Sequence, residues 1–62
     1  MDTVTFTILE TVHGYELYTK HLKYAEKWQF KNVSKAQLGD LMLGLTQKFN
    51  NVYNTAVLFE MG

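Results

Sequence analysis

The side chains that could carry chemistry are few. The chain has six lysines, six acidic residues, two histidines and one serine, with no cysteine and no arginine. Nucleophilic catalysis needs a serine or cysteine beside a base. Ser34 stands where a helix begins, and neither His13, in a turn, nor His21 has an acid beside it in sequence. No glycine-rich phosphate loop follows a strand. The sequence therefore predicts a non-catalytic protein without metal or cofactor.

The length of 62 residues predicts one domain over 1–62 that needs outside support. A single core below about 70–80 residues rarely contributes more than about 3–5 kcal/mol, and such folds usually add disulfides, a metal or a partner subunit. Disulfides and the usual zinc sites are excluded by composition, so we expect the chain to associate into an oligomer. A hydrophobic content of 47% excludes a disordered chain. The first residues lack the pattern of a signal peptide, which indicates the cytoplasm.

The first elements are two strands. Thr3 to Ile8 alternates threonine with apolar residues, which is typical of a strand with one buried face. His13-Gly14 suits a tight hairpin turn, which would place Val12 opposite Tyr15. Residues 18–30 fit either one bent strand or a strand followed by a helical turn. We favour the extended alternative because aromatic residues prefer strands.

The helix has the clearest signals. Ser34 and Gln37 have the spacing of a capping box, and Val33 and Leu38 that of a hydrophobic staple. The apolar spacing predicts a helix to about Phe49, followed by a strand over 55–61 that is apolar and covered on both faces. The predicted fold class is α+β: a small three-stranded antiparallel sheet with one helix packed on it, in the order strand-strand-helix-strand.

Two faces of this helix are candidate binding surfaces. The main stripe, which is either core or an open pocket, consists of Leu38, Leu41, Met42 and Leu45. Beside it, Ala36, Gly39 and Leu43 form a smooth second face. A glycine within a helix costs about 1 kcal/mol relative to alanine. The glycines are either tolerated defects or allow close approach of another chain, and we interpret this second face as a dimer interface.

Charge is distributed unevenly although the net charge is zero. Residues 20–35 hold five lysines against one glutamate. A lysine and aromatic set in this region could neutralise phosphates and stack bases: Lys20, Lys23, Lys27, Lys31, Tyr24 and Trp28. The alternative is a strand with a solvated lysine face, which protects an exposed edge. Nucleic-acid binding is therefore the second functional hypothesis.

Four features of this chain match a known family: the element order, the size, the absence of cysteine, and the run Lys31-Asn32-Val33-Ser34, which enters a helix with Leu38 and Met42 on its inner face. In these features the chain resembles the small uracil-DNA glycosylase inhibitors of Bacillus phages. The resemblance implies a homodimer whose helices line an apolar pocket, with acidic residues around it imitating DNA phosphates. Carried onto this chain, the pocket would be the helix stripe. Besides Asp2, the acids that could lie around it are Glu10, Glu16, Asp40 and Glu60.

The leading hypothesis is thus a phage-type, homodimeric, protein-binding inhibitor and DNA mimic in the host cytoplasm. It would occlude a host DNA-processing enzyme such as uracil-DNA glycosylase. A third hypothesis is a subunit of a larger assembly without activity of its own.

Overall fold

A computed structural model describes residues 2–62, and Met1 lies outside the described residues. The elements are β1 (Asp2–Thr11), β2 (Gly14–Thr19), β3 (Phe30–Val33), α1 (Lys35–Tyr53) and β4 (Thr55–Met61). They form a four-stranded sheet in the order β3-β2-β1-β4. β2 is antiparallel to β1 and β3, whereas β4 is parallel to β1. The α+β class is confirmed, but the predicted three-stranded antiparallel sheet is wrong in strand number and direction.

β1 supplies the centre of the core. Val4, Phe6 and Ile8 are buried, as the alternation predicts. The register places Phe6 between Thr19 of β2 and Phe59 of β4. Because side chains alternate across a strand, this register divides the sheet into a helix-covered face and an open face. The open face carries Thr3, Thr5, Thr7 and Leu9 from β1, Glu16 and Tyr18 from β2, and Ala56, Leu58 and Glu60 from β4.

The β1–β2 turn is one residue earlier than predicted. Thr11 pairs with Gly14, so Val12 and His13 form the turn and Tyr15 lies opposite Glu10 instead of Val12. The Thr11 hydroxyl fixes this turn, since it accepts from the His13 N–H and donates to the Gly14 carbonyl, both at 3.2 Å. Gly14 has a φ of 127°, and a Cβ there would lie 2.5 Å from the Val33 carbonyl oxygen. The glycine is therefore needed after the turn rather than inside it.

The extended prediction for residues 18–30 is wrong. β2 ends at Thr19, and residues 22–27 are turns before β3 begins at Phe30. Tyr24 and Trp28 follow helical spacing instead, because both pack against Phe49 in α1. This tertiary contact outweighs the strand preference of aromatic residues.

The predicted start of α1 is confirmed. The Gln37 N–H donates to the Ser34 hydroxyl at 3.1 Å, and the Ser34 N–H donates to the Gln37 side chain at 3.3 Å. The helix continues one turn beyond the predicted end at Phe49. It ends at Tyr53, and Asn54 caps it in the left-handed conformation. The extra turn is stabilised by Tyr53, whose ring packs on Phe49 at 5.2 Å.

β4 is an edge strand covered on one face only. α1 packs on the helix-covered face, where Val57 and Phe59 contact the core. On the opposite face, Leu58 keeps 57% of its surface exposed. The prediction that β4 is covered on both faces is therefore wrong, because α1 is the single helix of residues 2–62.

Candidate functional site

The segment after β2 leaves the sheet through a sequence of short-range hydrogen bonds. The Thr19 hydroxyl accepts from the His21 N–H at 3.1 Å, and the Tyr24 N–H donates to the His21 carbonyl at 2.9 Å. The Trp28 N–H then donates to the Tyr24 carbonyl at 3.1 Å, which closes one helical turn. Residues four apart on such a turn lie on the same side. Tyr24 and Trp28 therefore both point toward α1.

Phe49 is the centre of the aromatic cluster that receives them. Its ring is fully buried, and its centroid lies 5.0 Å from Tyr24, 5.1 Å from Trp28 and 5.2 Å from Tyr53. These are separations at which tilted and edge-to-face rings attract each other. From the sequence, Phe49 is expected as the approximate end of the helix, and its role at the centre of this cluster was missed. The available signal was the four-residue spacing of Tyr24 and Trp28, repeated by Phe49 and Tyr53.

A groove of about 240 Å³ lies between this segment and the C-terminal end of α1. We call it the aromatic groove; its lining residues are Leu22, Lys23, Tyr24, Glu26, Lys27, Trp28 and Tyr53. Leu22 is 93% exposed, and Tyr53 keeps 37% of its surface accessible. Trp28 is half-buried beside them. The groove thus exposes a large aliphatic side chain next to aromatic walls.

The border of the aromatic groove is mainly cationic. Lys23 and Lys27 line it against a single acid, Glu26. The Lys48 ammonium lies 5.6 Å from the Trp28 ring centroid, and the Lys23 ammonium lies 5.6 Å from that of Tyr24. Both distances are within the range of cation–π attraction. The lysines are therefore held near the aromatic walls, where they would meet an acidic ligand.

The structure brings together four of the six residues predicted for nucleic-acid binding. Lys23, Tyr24, Lys27 and Trp28 share the aromatic groove, whereas Lys20 borders a different cleft and Lys31 lies on β3. Tyr24 is buried against Phe49. Its ring is consequently occupied by the core and is not free to stack on a base.

The predicted pocket stripe packs inside this chain. Leu45 is buried, and the other three residues, Leu38, Leu41 and Met42, are half-buried against the core cluster. Of the two interpretations left open by the sequence, the core interpretation describes the single chain. In the single chain the stripe covers the sheet and leaves no open pocket there, and its role in binding a partner stays a prediction.

The remaining predicted residues lie on separate surfaces. Ala36, Gly39 and Leu43 are exposed on α1, and a Cβ at Gly39 would meet nothing within 4 Å.

The predicted acids do not form one cluster. Asp40 is exposed on α1, Glu10 belongs to the helix-covered face of β1, and Glu16 lies opposite Leu9 on the open face. Their assignment to a common partner-binding rim stays a prediction.

Glu10 has a local role in the structure. The Tyr15 hydroxyl donates to a Glu10 carboxylate oxygen at 3.3 Å. The negative charge of Glu10 raises the pKa of Tyr15, and burial together with this hydrogen bond acts in the same direction. Ionisation of the phenol would place a second negative charge beside the carboxylate, so Tyr15 keeps its proton longer than a free tyrosine.

A second cleft, of about 270 Å³, lies along the open face of the sheet. We call it the threonine cleft, and it is lined by Thr3, Thr5, Thr7, Thr19, Lys20, His21 and Glu60. The Thr7 hydroxyl donates to Glu60 at 3.1 Å, which links β1 to β4 across this face.

Within residues 2–62, no three histidine or acidic side chains are grouped closely enough to hold a metal ion.

In the described part of the chain, α1 is too polar to cross a membrane. No family model matches the chain, and neither the curated proteins nor the solved structures include one that matches it.

Proposed function

We propose that the chain is a non-catalytic protein-binding module whose docking site is the aromatic groove. The observation that carries this proposal is the nearly complete exposure of Leu22 beside the half-buried Trp28 and the exposed Tyr53. Binding energy at protein interfaces concentrates on aromatic and apolar side chains that become fully desolvated. An apolar side chain of the partner would occupy the groove and cover Leu22.

The energies involved suit a specific contact. Covering one leucine side chain contributes about 1.5–3 kcal/mol, and each partner side chain that enters the groove adds a term of similar size. Lys23 and Lys27 favour a partner whose apolar anchor is flanked by acidic residues. Charges at the border of an interface act mainly on orientation and association rate. The lysines would therefore select the partner, and the groove would hold it.

This proposal keeps the occlusion expected from the sequence but moves its location, and the border carries Lys23 and Lys27 instead of the acids that the resemblance implies. An apolar pocket with a charged border still occludes the target, but the pocket is the aromatic groove rather than the helix stripe. The resemblance supplies the first target to test, a uracil-DNA glycosylase. In a uracil-excision assay, we expect stoichiometric addition of the chain to suppress excision.

Two matched variants serve as test and control. Each replaces an almost fully exposed aliphatic side chain by aspartate. Leu22→Asp places a charge at the groove and should abolish inhibition. Val12→Asp changes a side chain that is 94% exposed on the β1–β2 turn, and it should leave inhibition intact. An excision rate unaffected by excess protein would exclude this target.

The binding class is tested separately from the target. The wild-type chain and the same two variants are immobilised, and proteins retained from a nuclease-treated bacterial lysate are quantified by mass spectrometry. We expect a protein that the wild type and Val12→Asp retain but Leu22→Asp does not. Equal retention by all three baits would show that the aromatic groove is not the docking site.

The grouping of Lys23, Lys27 and Lys48 around Trp28 favours nucleic-acid binding as the second candidate function. It predicts quenching of Trp28 fluorescence by a single-stranded oligonucleotide, with an affinity that falls steeply as salt increases. Lys27→Gln should weaken this binding. Lys35→Gln should not, because Lys35 lies at the start of α1 and the groove lies at its C-terminal end. Unchanged fluorescence at low salt would exclude this function.

A further inference from the structure

The two edges of the sheet differ in how well they are protected. β3 has four residues, its pairing with β2 is irregular between Tyr15 and Leu17, and Asn32 has a φ of 58°. Short length, irregular pairing and the charge of Lys31 all hinder addition of another strand. β4 has seven residues and pairs with β1 without interruption from Asp2–Thr55 to Ile8–Met61. Its only charged residue is Glu60.

One hydrogen bond establishes which groups β4 presents at its free edge. The Gly62 N–H donates to the Ile8 carbonyl at 2.9 Å, continuing the ladder with β1. Along a strand, the N–H and C=O of one residue point to the same side, and successive residues alternate. The even-numbered residues of β4 therefore face β1. The odd-numbered ones present their N–H and C=O groups outward: Thr55, Val57, Phe59 and Met61.

We propose that β4 pairs antiparallel with β4 of a second copy of this chain, forming a continuous eight-stranded sheet with a twofold axis at Leu58. Such an axis is perpendicular to the sheet, so each copy keeps its helix on the same side. All seven residues are paired only when Leu58 lies opposite Leu58 of the second copy. In this register, the outward groups of Val57 exchange hydrogen bonds with those of Phe59 of the second copy.

The side chains also suit this register. Glu60 lies opposite Ala56 of the second copy, so the two like charges are separated and each faces a small neutral residue. The two Leu58 side chains meet on the open face, where each is 57% exposed in the single chain. Cross-strand apolar pairs stabilise a sheet, whereas like charges directly opposite destabilise it. The sequence of β4 is thus complementary to itself, which favours a second copy over an unrelated strand.

Sedimentation velocity at tens of micromolar tests the proposal. We expect the wild type to be a dimer, and both Leu58→Lys and Leu58→Glu to be monomers, with dissociation constants raised more than about tenfold by the charge pair on the axis. An equimolar mixture of Leu58→Lys and Leu58→Glu should form the dimer again, because the axis then joins opposite charges. Circular dichroism confirms that each variant is folded.

Two matched variants locate the interface. Val12→Lys carries the same charge on the exposed turn and should remain dimeric. Leu43→Lys tests the predicted interface of Ala36, Gly39 and Leu43 and should also remain dimeric. A monomeric wild type, a dimeric Leu58→Lys, no recovery on mixing, or a dimer lost only in Leu43→Lys would each overturn the proposal. None of these measurements depends on the aromatic groove.

Discussion

The indole of Trp28 lies edge-on against the buried ring of Phe49, with the centroids 5.1 Å apart and the ring planes at 65°. Trp28 is the only tryptophan, so its fluorescence reports directly on the aromatic core. This contact joins the 22–27 turns, which lie outside the sheet, to the helix. The wall of the aromatic groove and the centre of the fold are consequently one structure, and changes at Phe49 should affect both.

Phe49→Ala should leave most of the protein molecules unfolded. Replacing a buried phenylalanine by alanine costs about 3–5 kcal/mol, which equals the whole stability expected from a core of this size. Urea unfolding followed by Trp28 fluorescence measures the effect. Leu43→Ala, on the exposed side of the same helix, should change the free energy of unfolding by less than about 0.5 kcal/mol. An unchanged midpoint for Phe49→Ala would contradict the central role of this ring.

Ser34→Ala should destabilise the protein by about 1 kcal/mol, because the Gln37 N–H loses its partner at the start of α1. Ser34→Asp supplies a side-chain oxygen at the same place and should retain most of the stability. Both values come from urea midpoints at constant slope. Equal stability of Ser34→Ala and the wild type would mean that the capping box contributes nothing.

Gly14→Ala and Gly39→Ala should have opposite effects. An added Cβ at Gly14 meets the Val33 carbonyl oxygen at 2.5 Å and requires a φ that alanine disfavours, so we expect a lower melting temperature. At Gly39 the space is open, and the helix should gain about 0.5–1 kcal/mol. Thermal unfolding of both variants measures this. If Gly39→Ala also lowered the dimer affinity, the close-approach interpretation of the second helix face would be supported.

Stability should fall at alkaline pH through Tyr15. Glu10 raises the pKa of Tyr15 in the folded chain, so above the unfolded value of about 10 the folded state binds more protons than the unfolded state. The free energy of unfolding then decreases as pH rises through that range. Glu10→Gln should shift the Tyr15 titration, followed by NMR, to lower pH. A Tyr15 titration unchanged by Glu10→Gln would contradict the charge effect.

Local signals were sufficient for part of the fold. The alternation of β1 and the capping box at Ser34 each depend on residues within a few positions, and both are confirmed. β3 was missed because it is short, contains a left-handed Asn32 and follows an irregular register. The parallel pairing of β4 with β1 could not be read from either strand alone. It depends on where α1 places β4 after crossing the sheet.

The candidate site was predictable as a group of residues but not as a shape. Lys23, Lys27 and Trp28 stand out by composition, and they do share one groove. The groove exists because Tyr24 and Trp28 adopt helical spacing in response to Phe49, which is distant in sequence. Its other wall, Tyr53, belongs to the helical turn beyond the predicted end of α1. The shape of the groove is thus determined by long-range packing, which the composition does not reveal.

The parallel pairing of β1 with β4 has a consequence for biosynthesis. Thr7 and Glu60, which are hydrogen-bonded in the fold, are 53 positions apart. While the ribosome is still producing α1, the central strand has a neighbour on one side only, and its apolar row of Val4, Phe6 and Ile8 has no finished layer to cover it. The nascent polypeptide must therefore wait for β4 to leave the exit tunnel, and the sheet closes only after translation of that strand.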